Sequence, residues 1–173
     1  MIILITGTSH TGKTLLAQRM LERYGYPYLS IDHLKMGLIR SGHTELTPED
    51  DEKLTAYLWP IVREIIKTAI ENRQNLIVEG CYVPFEWRQD FSEDYLSAIR
   101  FICLVMTDGY IDAHFDEIKI HASDIESRLD DSGCTADFLK AENRKYAQGF
   151  QTAGEEVAWI EGDYSKAIEP LLN

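Results

Sequence analysis

The stretch Ile2-Ile3-Leu4-Ile5-Thr6-Gly7-Thr8-Ser9-His10-Thr11-Gly12-Lys13-Thr14 decides the fold. Its apolar start, closed by Thr6-Gly7, reads as a strand buried on both faces. Gly7 to Thr14 then match GxxxxGK[ST] at every fixed position, the pattern of a Walker A phosphate loop. Lys13 to Tyr24 continues as an amphipathic helix, with Ala17, Met20, Leu21 and Tyr24 on one face and Gly25 at the expected C-terminal glycine position. The chemistry demands these residue types. Gly7 and Gly12 permit backbone angles that turn the N–H groups of Thr8, Ser9, His10 and Thr11 toward phosphate oxygens, and the following helix points its positive end at the same place. Lys13 reaches the β- and γ-phosphates, and the Thr14 hydroxyl is placed to ligate Mg²⁺. His10 reads either as a loop-packing imidazole or as a catalytic group.

Working outward, further apolar segments read as buried strands: Leu76 to Val78, Phe101 to Met106, Val157 to Ile160, and a shorter one from Pro27 to Ile31. A long helix is expected from Thr47 as N-cap and Pro48 as first residue, with Glu49, Asp50, Asp51 and Glu52 against its positive end. Its apolar face runs Leu54, Tyr57, Leu58, Ile61, Val62, Ile65, Ile66 and Ala69, and Pro60 predicts a kink or a break. Uniformly apolar strands alternating with amphipathic helices mean an α/β layered fold, a parallel sheet with helices on both faces. No repeat, linker or low-complexity tract divides residues 1–173, so a single domain is expected.

Two carboxylates stand at strand ends, Asp32 after Tyr28 to Ile31 and Glu79 after Leu76 to Val78. In a parallel sheet that edge is where ligands bind, so both should face the phosphate loop. Asp32 is assigned as the acceptor-side base or positioning residue and Glu79 as the group holding Mg²⁺ beside Thr14; the two roles are interchangeable at this level.

Composition bounds the partners. Seventeen Lys and Arg against 29 Asp and Glu give the 173 residues a net charge of −12. Such a chain repels polyanions, so nucleic acid and anionic membrane surfaces are excluded as partners and a small-molecule acceptor is expected. Cys81, Cys103 and Cys134 are odd in number and widely spaced, and Met1 to Ile5 has no basic segment before it, which predicts a cytoplasmic protein with reduced thiols. Oligomeric state has no signature here.

The loop Gly7 to Thr14 resembles that of the small-molecule P-loop kinases of the nucleoside-monophosphate-kinase-like group, relatives of adenylate, shikimate and gluconate kinases. Together with Leu76-Ile77-Val78-Glu79-Gly80-Cys81-Tyr82-Val83-Pro84, which looks like a strand-EGxxxP segment, it is most similar to 2-phosphoglycerate-kinase-like proteins. The resemblance implies a three-layer P-loop NTPase fold with a five-stranded parallel sheet in order 2-3-1-4-5, an acceptor-binding helical region at about 32–75, and a helical lid at about 108–150. It also implies acceptor-binding cations, here Lys35, Arg40 and Arg88, and a lid arginine, with Arg128 first and Arg144 next. The lid span carries ten acids and five bases. Cys81, Tyr82 and Trp87 read either as lining of an acceptor pocket or as aromatic core packing, and Glu161 to Tyr164 is a candidate adenine contact or a plain turn capped by Asp163. The expected function is an ATP- and Mg²⁺-dependent kinase acting on a small anionic metabolite. The alternatives are a nucleoside-monophosphate kinase of the adenylate type and a nucleotide-binding regulatory protein without phosphotransfer.

Overall fold

The computed structural model describes residues 1–121 and 133–173. Five parallel strands, β1 (Ile2–Gly7), β2 (Tyr28–Ser30), β3 (Leu76–Glu79), β4 (Ile99–Met106) and β5 (Ala158–Ile160), form one sheet in the order β2-β3-β1-β4-β5, as expected. The crossovers are helices α1 (Lys13–Tyr24), α2 (Ile31–Arg40), α3 (Asp51–Glu71), the single turn α4 (Glu93–Leu96), α5 (Asp108–His121) and α6 (Ala136–Thr152), and α7 (Tyr164–Ile168) with a 3₁₀ turn over Glu169–Leu172 follows β5. Alternation along the strands separates two cores. Ile2, Leu4, Val78, Cys103 and Val105 meet Ile31 of α2, Leu54, Leu58 and Val62 of α3, and Phe150 of α6. Ile3, Ile5, Ile77, Leu104 and Met106 meet Leu16, Ala17 and Met20 of α1, Ile111 of α5 and Ile168 of α7. The central strand β1 is wholly buried because both layers cover it.

The sequence expectation changes at α3. The long helix begins at Asp51, not at Pro48. The Asp50 carboxylate turns back to accept from the Thr47 N–H (3.1 Å) and hydroxyl (3.0 Å), so 47–50 forms a turn ahead of the helix. The helix then runs 21 residues through Pro60 without breaking, because Leu58, Trp59 and Val62 are all buried and packing outweighs the one lost backbone bond. Helix α6, which makes the C-terminal part of the expected lid span, packs on the core. In α6, Leu139 and Phe150 are fully buried, and the Asn143 side chain accepts from the Met106 N–H (2.8 Å) at the end of β4.

Candidate nucleotide and acceptor site

All the chemistry gathers at one sheet edge because parallel strands end together. Ser30 and Glu79, the last residues of β2 and β3, lie in register with Ile5, two residues before the end of β1. Asp32 enters on the first turn of α2, directly after β2. The Gly7 to Thr14 loop bridges β1 to α1 above them.

The loop is braced from within. The buried Thr11 hydroxyl donates to the Thr8 carbonyl (2.9 Å), and Lys13 Nζ folds back to the same carbonyl (2.7 Å). Gly12 adopts φ 76°, and its carbonyl accepts both the first helical bond from Leu16 (2.9 Å) and the Tyr164 hydroxyl (3.0 Å). His10 also takes a left-handed φ, 69°, so its backbone is shaped by the loop.

Lys13 is buried. Burial by itself works against its ammonium, but the Cys81 sulfur, Glu79 and Asp32 outweigh that and hold its pKa above the ordinary value. Burial pushes the Cys81 thiol up in turn. The Thr14 hydroxyl lies 3.4 Å from Glu79 Oε2, and Glu79 is only 1% exposed. A hydroxyl and a carboxylate at a strand end are hard oxygen donors, the set Mg²⁺ takes while keeping several waters. These residues fit that ion.

On the acceptor side, buried Lys35 donates to Asp32 Oδ1 (2.6 Å) and to the Tyr82 hydroxyl (2.8 Å). Tyr82 donates onward to Asp51 Oδ1 (3.2 Å) at the start of α3. Burial first, then the charges of Asp32 and Asp51, raises the Tyr82 pKa, so the phenol stays a neutral donor.

The structure brings together Gly7 to Thr14, Asp32, Lys35 and Glu79. It does not bring Arg40 or Arg88 to them through any contact. Arg40 is exposed in the last turn of α2, and Arg88 pairs with the buried Glu155 (2.5 Å) and covers the Trp87 ring. Trp87 is fully buried among Phe91 and Phe101, a core residue and not a pocket wall. Arg144 pairs with Asp108, and Arg128 lies outside the described residues. Asp163 caps α7 by accepting from the Lys166 N–H (3.0 Å), the plain-turn alternative, while Tyr164 seats on the phosphate loop. Asp51 joins the hydrogen-bond chain of the candidate site, and the sequence marks it only as charge at a helix start. Its bond to Tyr82 joins residues 31 apart, and no motif spacing signals it.

No family model matches the chain, and no curated protein matches it in sequence. Solved structures do match. Deoxyadenosine kinase from M. mycoides with bound dATP is 14% identical, with a TM-score of 0.58 over 99% of this chain and 97% of that one. Shikimate kinase from Bacteroides thetaiotaomicron is 16% identical, with a TM-score of 0.56 over 98% and 95%. A gluconokinase from Sinorhizobium meliloti is 15% identical, with a TM-score of 0.54 over 98% and 88%. The chain has the P-loop kinase fold. Among the described residues of this P-loop kinase fold, no helix is long and apolar enough to cross a membrane.

Proposed function

We propose that the chain is a phosphotransferase that moves the γ-phosphoryl group of ATP to a hydroxyl of a small metabolite, with Mg²⁺ bound at Thr14 and Glu79. The observation that carries this reading is the convergence of the loop, buried Lys13, Thr14, Glu79 and Asp32 on one sheet edge. The three solved kinases lend the reading their fold, and the deoxyadenosine kinase among them holds dATP, a triphosphate.

In this reading the loop N–H groups and the α1 N-terminus bind the phosphates, and Lys13 leaves the Thr8 carbonyl for the β- and γ-oxygens. When bound, Mg²⁺ neutralises charge on those oxygens. Asp32, 32% exposed at its side chain, is the group that orients the acceptor hydroxyl and takes its proton. The acceptor oxygen forms a bond to the γ-phosphorus as the bond to the β-bridging oxygen breaks. The Thr14–Glu79 distance supports giving the metal role to Glu79 and the base role to Asp32.

Lys13→Ala tests the reading. Calorimetry should show loss of MgATP affinity by at least about a hundredfold, the size of a buried charge-assisted contact set. Retained affinity, or retained ADP release with a hydroxyl acceptor, would discard it. One observation favours a nucleotide-binding protein without transfer: Lys140 and Arg144 of α6 are both spent on acids of α5, Asp112 and Asp108. That reading predicts a thermal shift with MgATP and no ADP release across polyols, sugars, sugar acids, phosphoglycerates and nucleoside monophosphates.

A further inference from the structure

An anionic acceptor is expected from the sequence because Lys35, Arg40 and Arg88 stand where cations would grip one. In the structure none of the three stands beside Asp32 as an unpaired cation. Lys35 is 9% exposed and committed twice, to the Asp32 carboxylate at 2.6 Å and to the Tyr82 hydroxyl at 2.8 Å. Two of its three ammonium protons are therefore occupied, and its charge is balanced by a carboxylate at contact distance. Arg40 lies eight residues along α2 from Asp32, about 12 Å at 1.5 Å per residue. Arg88 is held by Glu155, itself 8% exposed.

The next cations in the acceptor region are spent as well. Lys53 pairs with Asp50, Arg63 with Asp90 and Glu64, and Lys67 with Glu64. Against them, Asp32, Asp51 and Glu79 all belong to the acceptor edge or to its hydrogen-bond chain. Once nucleotide and Mg²⁺ bind, Glu79 would be taken up by the metal, and Lys13 turns to phosphate and no longer offsets Asp32.

We propose that the acceptor is a hydroxylated molecule without negative charge, and that the Lys35–Asp32 pair enforces this. The proposal rests on the phosphotransferase reading and specifies its substrate class. A neutral hydroxyl can donate to the second Asp32 oxygen and accept the third Lys35 proton, which needs no rearrangement of the pair. A carboxylate can accept that same Lys35 proton but has none to donate to Asp32, and a phosphate likewise brings negative charge against the second Asp32 oxygen, with Asp51 close behind it in the hydrogen-bond chain.

The test uses the protein saturated with Mg²⁺ and a non-hydrolysable ATP analogue, so that the phosphate loop is filled. Saturation itself is checked by thermal shift, and its absence would sink the phosphotransferase reading independently of any acceptor result. Calorimetric titration with inorganic phosphate, gluconate and shikimate should then give no saturable binding to the natural chain. Asp32→Asn, with Asp32→Ser as a second variant in case the first folds poorly, frees Lys35 and should gain phosphate binding by at least about tenfold, one full charge-assisted contact. Adding Lys35→Met to either variant should abolish the gain. Saturable anion binding by the natural chain, or no gain in either folded variant, overturns the proposal. So does ADP release with any carboxylated or phosphorylated acceptor, whereas release confined to uncharged polyols, sugars or nucleosides supports it.

Discussion

At Gly12 two constraints meet in one residue. Its φ of 76° is one that L side chains rarely adopt, and a Cβ there would stand 2.1 Å from the Tyr164 hydroxyl oxygen. The same hydroxyl donates to the Gly12 carbonyl, so Tyr164 both fills the space a side chain would need and braces the start of α1. Gly12→Ala should therefore weaken MgATP binding by at least about tenfold, about 1.4 kcal/mol, in a calorimetric titration. Combining it with Tyr164→Ala removes the clash and leaves the left-handed strain of about 1 kcal/mol, so affinity should return in part. No return at all would mean that Tyr164 is a bystander. Motif matching finds Gly12 and Lys13 but cannot find Tyr164, which is 152 residues away in sequence.

Among the elements, α3 starts three residues later than propensity suggests. Thr47 and Pro48 are good opening residues, but Asp50 gains more by bonding Lys53 (2.7 Å) and the Thr47 N–H than Thr47 gains as a cap. These bonds, the Lys53 one first, lower the Asp50 pKa from 3.8 to about 2. A pKa depressed on folding means stability that is present above the unfolded value and lost as pH falls through the folded one. The urea midpoint of Asp50→Ala should therefore lie below that of the natural chain near neutral pH, with the gap closing between about pH 4 and pH 2. A gap that persists at about pH 2 would assign the effect to helix propensity instead. The helices α5 and α6 make the complementary point. Their facing ion pairs, Arg144–Asp108 and Lys140–Asp112, join the two ends of the span expected to act as a lid.

For the whole molecule, a net charge of −12 is compatible with the proposed triphosphate site, because backbone geometry, one helix end and Lys13 would hold the phosphates. Stability comes from elsewhere, the two cores that sandwich the sheet. Phe150 is fully buried where Phe85, Phe101 and Tyr146 converge, with ring centroids 4.9, 5.2 and 5.9 Å away. Phe150→Ala should cost about 3–5 kcal/mol in urea unfolding. MgATP affinity measured well below the unfolding temperature should stay unchanged, since the ring sits in the core on the α3 and α6 side of the sheet, away from the α1 layer. A parallel loss of affinity would show that the core face and the nucleotide edge are coupled, with the Tyr146 hydroxyl bonded to the Cys81 carbonyl (2.8 Å) as the connecting contact.

The strands, the phosphate loop and the strand-end Glu79 are legible in the order of residues alone, whereas Asp32, expected at the end of β2, stands in the first turn of α2 because β2 stops at Ser30. A buried parallel strand writes an unbroken apolar run, and a phosphate loop writes its glycines and lysine at fixed spacing. Strand order came from resemblance, and the fold bears it out. Which charges remain available is settled only once the chain is folded. Lys35, Arg88 and Arg144 look alike in sequence, as cations near a site, yet each is bound to a carboxylate: Asp32, Glu155 and Asp108. Pairing depends on which side chains meet across elements, at separations up to 67 residues, and no local pattern encodes that.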